Sequence, residues 1–134
     1  MKWFAAAARP REIITAARER GTGVMGIRVA AAGALTDAID RELPDDSPVM
    51  ADFRRAAPVR ELARELGETA ASLALRYALS MPGVDTVVLG VKNRSELREC
   101  LAAESRGPLS AETMKRIDDS IPGAISRARH RPAP

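Results

Sequence analysis

Apolar positions along the chain fall into runs with helical spacing, broken twice by short runs that are apolar throughout. Ile13, Ile14 and Ala17, behind Pro10 and Glu12 and ahead of Gly21, predict a helix over about residues 10–20. Val24-Met25-Gly26-Ile27-Arg28-Val29 is too short and too rich in β-branched residues for a second helix and predicts a buried strand. Residues 30–34 and the Pro44-Asp45-Asp46-Ser47-Pro48 stretch mark loop, with a helical turn expected near Thr36 to Arg41. From Val49 to Ala57 the pattern is helical with Phe53 as its main anchor. Pro58 either kinks that helix or opens a new one carrying Val59, Leu62, Ala63 and Leu66, which Gly67 closes.

Thr69 is a natural N-cap for a helix over 70–80 with Leu73, Ala74, Tyr77 and Ala78 on one face, stopped by Met81-Pro82-Gly83. Val84 to Gly90 predicts a second buried strand. Asn93 caps a helix over 94–104 that turns Leu97, Cys100 and Leu101 inward, and Ser110 caps a last one over 111–118 carrying Met114 and Ile117, with Ile121 just beyond. Two strand-then-helix passages, each preceded by an amphipathic helix, are the pattern of a parallel sheet with right-handed crossovers. Two parallel strands need covered faces and paired edges, and a complete (β/α)₈ barrel takes about 250 residues, so 134 residues read as an incomplete, helix-rich piece of an α/β body.

Composition narrows this little. Hydrophobic residues are 46 % of the chain, yet 25 of them are alanine, so large core side chains are scarce. The net charge of +3 suggests nucleic acid until it is located. All 18 acidic and 18 of the 21 basic residues lie in residues 1–123, which are neutral overall, and the excess sits in 124–134, a basic tail around His130 expected to be disordered. One cysteine cannot form an internal disulfide, one histidine cannot build a usual zinc site, and the apolar run from Trp3 to Ala8 is too short for a signal core or a membrane span. The chain is expected to be cytoplasmic, without membrane or nucleic-acid partners.

Acid–base machinery of its own is not evident. Cys100 reads as a small core residue and Tyr77 as packing. The adjacent pairs Asp45-Asp46 and Asp118-Asp119 read as solvated charges. The informative stretch is Val87-Val88-Leu89-Gly90-Val91-Lys92-Asn93-Arg94, where an apolar strand ends at a glycine and becomes a helix beside two cations. Free backbone N–H groups and the positive end of the helix dipole favour an anion there, such as a phosphate. A solvated loop with two incidental cations would have the same sequence.

Residues 21–28 (Gly-Thr-Gly-Val-Met-Gly-Ile-Arg) through Ala32-Gly33-Ala34-Leu35, then 71–79 (Ala-Ser-Leu-Ala-Leu-Arg-Tyr-Ala-Leu), then 82–93 (Pro-Gly-Val-Asp-Thr-Val-Val-Leu-Gly-Val-Lys-Asn), with Leu97, Glu99 and Pro108-Leu109-Ser110, resemble the C-terminal part of an aldo-keto reductase over about residues 10–120. The resemblance implies the last two βα units of a TIM (β/α)₈ barrel. It also implies NADP as cofactor, hydride transfer to a carbonyl substrate as the parent reaction, and a missing N-terminal barrel half as partner. Gly90, Lys92, Asn93 and Arg94 match the turn that holds the adenosine phosphate, and Glu99 matches an acidic residue near the adenine. Two departures stand out: Glu99 is followed by Cys100 where many members have Asn, and Ile27-Arg28-Val29-Ala30 replaces an aromatic-Ser-Pro-Leu, so the ring that stacks on the nicotinamide is missing and Arg28 is placed to face the pyrophosphate instead. The family's catalytic Asp, Tyr, Lys and His lie in the half that has no counterpart here. No catalytic residue is carried over, and the chain is expected to be inactive alone.

Two other readings differ in kind. A non-catalytic interaction module from a decayed reductase shares all of this evidence. A DNA-binding helix-turn-helix over Leu62 to Leu73 has the right turn glycine, but its second helix would begin Thr-Ala-Ala-Ser, with few groups able to read base edges.

Overall fold

The computed structural model describes residues 8–121, with side chains from Arg11 onward. The segment before Ala8 and the tail with His130 lie outside the described residues. In chain order the elements are α1 (Ala8–Glu19), β1 (Met25–Ile27), a 3₁₀ turn (Ala31–Gly33), α2 (Pro48–Arg55), α3 (Ala57–Glu65), α4 (Ala70–Ser80), β2 (Thr86–Val88), α5 (Arg94–Ser105) and α6 (Ala111–Ser120). The helical turn expected at 36–41 falls instead at Ala31–Gly33. Pro58 opens α3 rather than kinking α2, because its ring fits the first turn, where no N–H is needed.

Capping explains most boundaries. Ser47, Thr69, Asn93 and Ser110 each accept a backbone N–H three residues on, at 3.3, 3.0, 3.0 and 3.1 Å. Gly67 ends α3 at φ +68°, which lets Glu68 N–H turn back to Ala63 O at 3.0 Å.

The core is a helical layer centred on α4. Its Ala70, Leu73, Ala74, Leu75, Tyr77 and Ala78 are all buried, and α4 packs on α3 and α5 while α6 closes against α3 with Ile117. Beneath lies a two-stranded parallel sheet in the register Met25↔Thr86, Gly26↔Val87, Ile27↔Val88. Asp85 locks its lower end: one carboxylate oxygen accepts Val24 N–H at 2.7 Å and the other accepts Arg18 of α1 at 2.8 Å.

Both strands were expected to be buried, and only one face is. Val87 and Leu89 pack on the helices, whereas Met25, Ile27 and Val88 are 61, 50 and 50 % exposed. Strand side chains alternate between faces, so a sheet covered by one helical layer leaves every second residue in solvent. For the same reason Leu97 and Leu101, predicted to face inward, are exposed on α5: α4 covers the flank carrying Ala103 and Cys100, and no described element covers the other. Phe53 is half-buried, beneath the Arg60 guanidinium 3.8 Å from its ring centre.

Ionic contacts between elements tie the layer together. Glu68, its side chain 1 % exposed, accepts Ser72 Oγ at 2.7 Å and Arg76 Nη1 at 2.6 Å, with Arg106 of the α5–α6 link at 3.6 Å. Asp118 is no solvated charge, since it accepts Tyr77 Oη at 2.5 Å and Arg11 at 2.7 Å and so joins α6 to α4 and α1. Burial, then the hydrogen bond to Asp118, pushes the Tyr77 phenol up to about 12.

Candidate functional site

Parallel strands end on the same side of a sheet, so Arg28 after β1 and the 89–93 turn after β2 open onto one edge. The turn is built by its own sequence. Asn93 Oδ1 accepts Glu96 N–H at 3.0 Å and Glu96 Oε2 accepts Lys92 N–H at 2.7 Å, a reciprocal cap that straightens the entry into α5. The N–H groups of Arg94 and Ser95 keep no protein partner among the described residues, and they point along the positive end of the helix. A Cβ built on Gly90 would meet nothing within 4 Å, so no protein packing demands glycine there.

Lys92 and Arg94 are both exposed, but they are not equivalent. Lys92 Nζ forms an ion pair with Asp40 from the loop between the 3₁₀ turn and α2, which draws that loop across the turn. The same loop supplies Asp37, whose Oδ1 accepts Ala70 N–H at 3.2 Å at the start of α4. Thr69, the cap of α4, donates its hydroxyl to Glu99 Oε1. Glu99 is therefore held against α4, about one and a half turns into α5 from Arg94.

Arg28 is exposed with φ +58°, and Ala31 and Ala32 follow at +50° and +59°. Three non-glycine residues in the left-handed region cost about 1–2 kcal/mol each. Such strain concentrates at binding segments, and here it sits at the mouth of the sheet.

Of the six residues singled out by sequence, Gly90, Lys92, Asn93 and Arg94 form one turn, Arg28 shares its edge, and Glu99 is drawn aside. Sequence reasoning missed Asp40, Asp37 and Thr69 as neighbours of the site, because contacts spanning tens of residues leave no local signature. It also missed Glu96, although Asn-x-x-Glu before a helix is a capping-box spacing that could have been read.

Elsewhere the chemistry is quiet. Burial, then the nearby Glu99 and Glu96, push the Cys100 thiol up, which keeps it protonated and a poor nucleophile. No cluster of metal-ligating residues occurs among the described residues. No helix among them is long and apolar enough to cross a membrane. The helix-turn-helix reading fails on burial: Ala70, Ser72 and Leu73, which would face base edges, are in the core.

A parallel β/α layer with one open sheet face and its loops gathered at the strand ends is a section of a β/α barrel. The chain belongs to the aldo/keto reductase family, whose profile matches residues 3–122. No significant match is found among curated proteins. Among solved structures, it superposes on an aldo-keto reductase from Bacillus halodurans, AKR11C1, with a TM-score of 0.69 at 24 % identity, covering 91 % of this chain and 42 % of that one. The holo form of that protein gives 0.65 at 26 %, over 87 % and 40 %. A glycerol dehydrogenase from Gluconobacter oxydans, AKR11B4, gives 0.63 at 21 %, over 90 % and 38 %. The chain thus spans about two fifths of the length of these relatives and carries part of their barrel.

Proposed function

We propose that the chain is the cofactor-binding C-terminal portion of an NADP-dependent aldo/keto reductase, comprising the last two βα units of the barrel. The observation that carries this is the β2–α5 turn: two helix N–H groups without a protein partner among the described residues, beside Lys92 and Arg94, with open space over Gly90. Such a turn suits a phosphate monoester, with the dipole and both cations acting on the same dianion. Lys92 and Arg94 would hold the adenosine phosphate, Asn93 would fix the turn, and Glu99, once released by Thr69, would reach the adenine. Arg28 at the neighbouring strand end would face the pyrophosphate. The bound nicotinamide would supply the hydride for a carbonyl substrate. No residue of this chain is given a role in the chemical step, so the chain alone is expected to bind and not to turn over.

Asp40 is a built-in competitor in this arrangement, because its carboxylate occupies the Lys92 ammonium. Binding of the phosphate must release that contact, and because salt screens the Lys92–Asp40 pair as well as the phosphate contact, affinity should fall with salt less steeply than it would with Lys92 free. The test is a fluorescence titration with NADPH and with NADH. Tighter binding of NADPH, abolished in Lys92→Ala and Arg94→Ala, is expected, and equal affinity for the two cofactors would overturn the phosphate assignment.

A further inference from the structure

Glu99 differs from the other carboxylates that join distant elements. Glu68 is paired with Arg76 at 2.6 Å, Asp118 with Arg11 at 2.7 Å and Asp85 with Arg18 at 2.8 Å. Glu99, half-buried on α5, makes no ion pair among the described residues, and the one hydrogen bond to its carboxylate comes from a neutral group, the Thr69 hydroxyl. Only Oε1 is engaged, so Oε2 keeps its capacity to accept. Thr69 has a proton to give because capping does not use it. Its oxygen accepts Ser72 N–H at 3.0 Å, which needs a lone pair alone, while Asp37 Oδ1 takes the neighbouring Ala70 N–H at 3.2 Å. Along α5, the five residues from Arg94 to Glu99 span about 7.5 Å of helix axis, a separation that suits the ribose phosphate and the base edge of one nucleotide.

We infer that Thr69 is a positioning residue for the base end of the cofactor: its hydroxyl parks Glu99 against α4, and an amino group on the bound base competes with that hydroxyl for the carboxylate. The inference rests on the cofactor reading above and adds to it the residue that sets how strongly the base amine is selected. An exocyclic amine brings N–H donors that replace the hydroxyl at Glu99, so the carboxylate exchanges one partner for another and is never left without a donor. The Thr69 proton then turns to solvent while its oxygen still caps α4, so the exchange leaves the helix intact. A base without N–H on that edge cannot make the exchange and leaves Glu99 parked.

The test compares NADP with its 1,N6-etheno derivative, in which a bridge takes up the base amine and leaves no N–H on that edge, while ribose and phosphates are the same. Calorimetric titration of the full chain gives the ratio of the two dissociation constants for the parent and for Thr69→Ser, Thr69→Gly and Thr69→Asp. Serine keeps both donor and cap, glycine is a tolerated N-cap with no hydroxyl, and aspartate caps without a proton to donate. Glycine and aspartate are expected to raise the preference for NADP several-fold, and serine to leave it at the parent value. Glu99→Ala in the Thr69→Gly background should abolish the gain. Taking the ratio cancels general effects of a substitution on folding or charge, and aspartate decides the matter if glycine loosens α4. A ratio unchanged in both variants, a ratio that falls in them, or a gain that survives Glu99→Ala would overturn the inference. In each of those results the parent still binds NADP. A parent that binds neither nucleotide removes the cofactor reading and this inference with it, so the two failures are told apart by the parent alone.

Discussion

Tyr77 is the only tyrosine in the chain, so its ionisation can be followed at one site without mutagenesis. Its hydroxyl donates to Asp118 at 2.5 Å and accepts from Arg11 at 3.1 Å, inside the α1–α4–α6 junction. Burial and the carboxylate raise the phenol from 10.0 to about 12. A phenol held above its ordinary pKa keeps its proton longer in the folded chain than in the unfolded one. The resulting stabilisation is whole below pH 10 and is lost as pH rises through about 12. Two units at 1.36 kcal/mol each amount to about 3 kcal/mol, a substantial share of the ~5–15 kcal/mol that holds a domain folded. Absorbance at 295 nm during a pH titration, with far-UV circular dichroism alongside, should therefore show no tyrosinate below about pH 11 and then ionisation accompanied by loss of helix. Tyr77→Phe should cost about 1 kcal/mol at pH 7. It should also flatten the decline in stability between pH 10 and 12. A native-state midpoint near 10, or an alkaline transition unchanged in Tyr77→Phe, would refute the reasoning.

Removing the buried carboxylate in Glu68→Ala strands Arg76, which is 13 % exposed, and should cost about 3–5 kcal/mol by urea unfolding; Glu68→Gln should cost less, because it can still accept from Ser72. A Cβ at Gly83 would lie 2.5 Å from Ile14 Cγ2 and 3.0 Å from Arg18 Cγ, on a backbone at φ +90°. Gly83→Ala should accordingly destabilise by about 1–3 kcal/mol, seen as a drop in melting temperature of several degrees, and an unchanged melt would mean that α1 does not seat on this turn. Asp40→Asn should free Lys92 and tighten NADPH binding several-fold at low salt, with the gain fading as salt is added. If titration finds the variant no tighter than the parent, Asp40 does not compete for that cation.

Elements whose signals are local were legible in the sequence. Thr69, Asn93 and Ser110 cap the helices they were read to cap, and α4 runs over 70–80 as its periodicity predicts. What failed were inferences about what lies opposite. The apolar runs read as buried strands, and Leu97 and Leu101 as inward-facing, because hydrophobicity marks a surface suited to burial without saying what lies opposite it. The candidate turn was found from strand, glycine, cations and cap in series. Asp40 at Lys92 and Thr69 at Glu99 were invisible, since they depend on how a long loop folds back. Asp118 was misread for a related reason: its neighbours Arg11 and Tyr77 come from distant helices.

The sheet carries a consequence for how the chain opens. Strand pairing spans three residue pairs over one covered face, whereas α4 is enclosed by α3 and α5 and bolted at its ends by Glu68 and Asp118. Amides of the strands should therefore exchange with solvent through small local openings, while those in the middle of α4 should exchange only when the whole helical layer comes apart. Two tiers of protection would follow, with the turn between β2 and α5 joined to the less durable one at β2 and to the more durable one at α5.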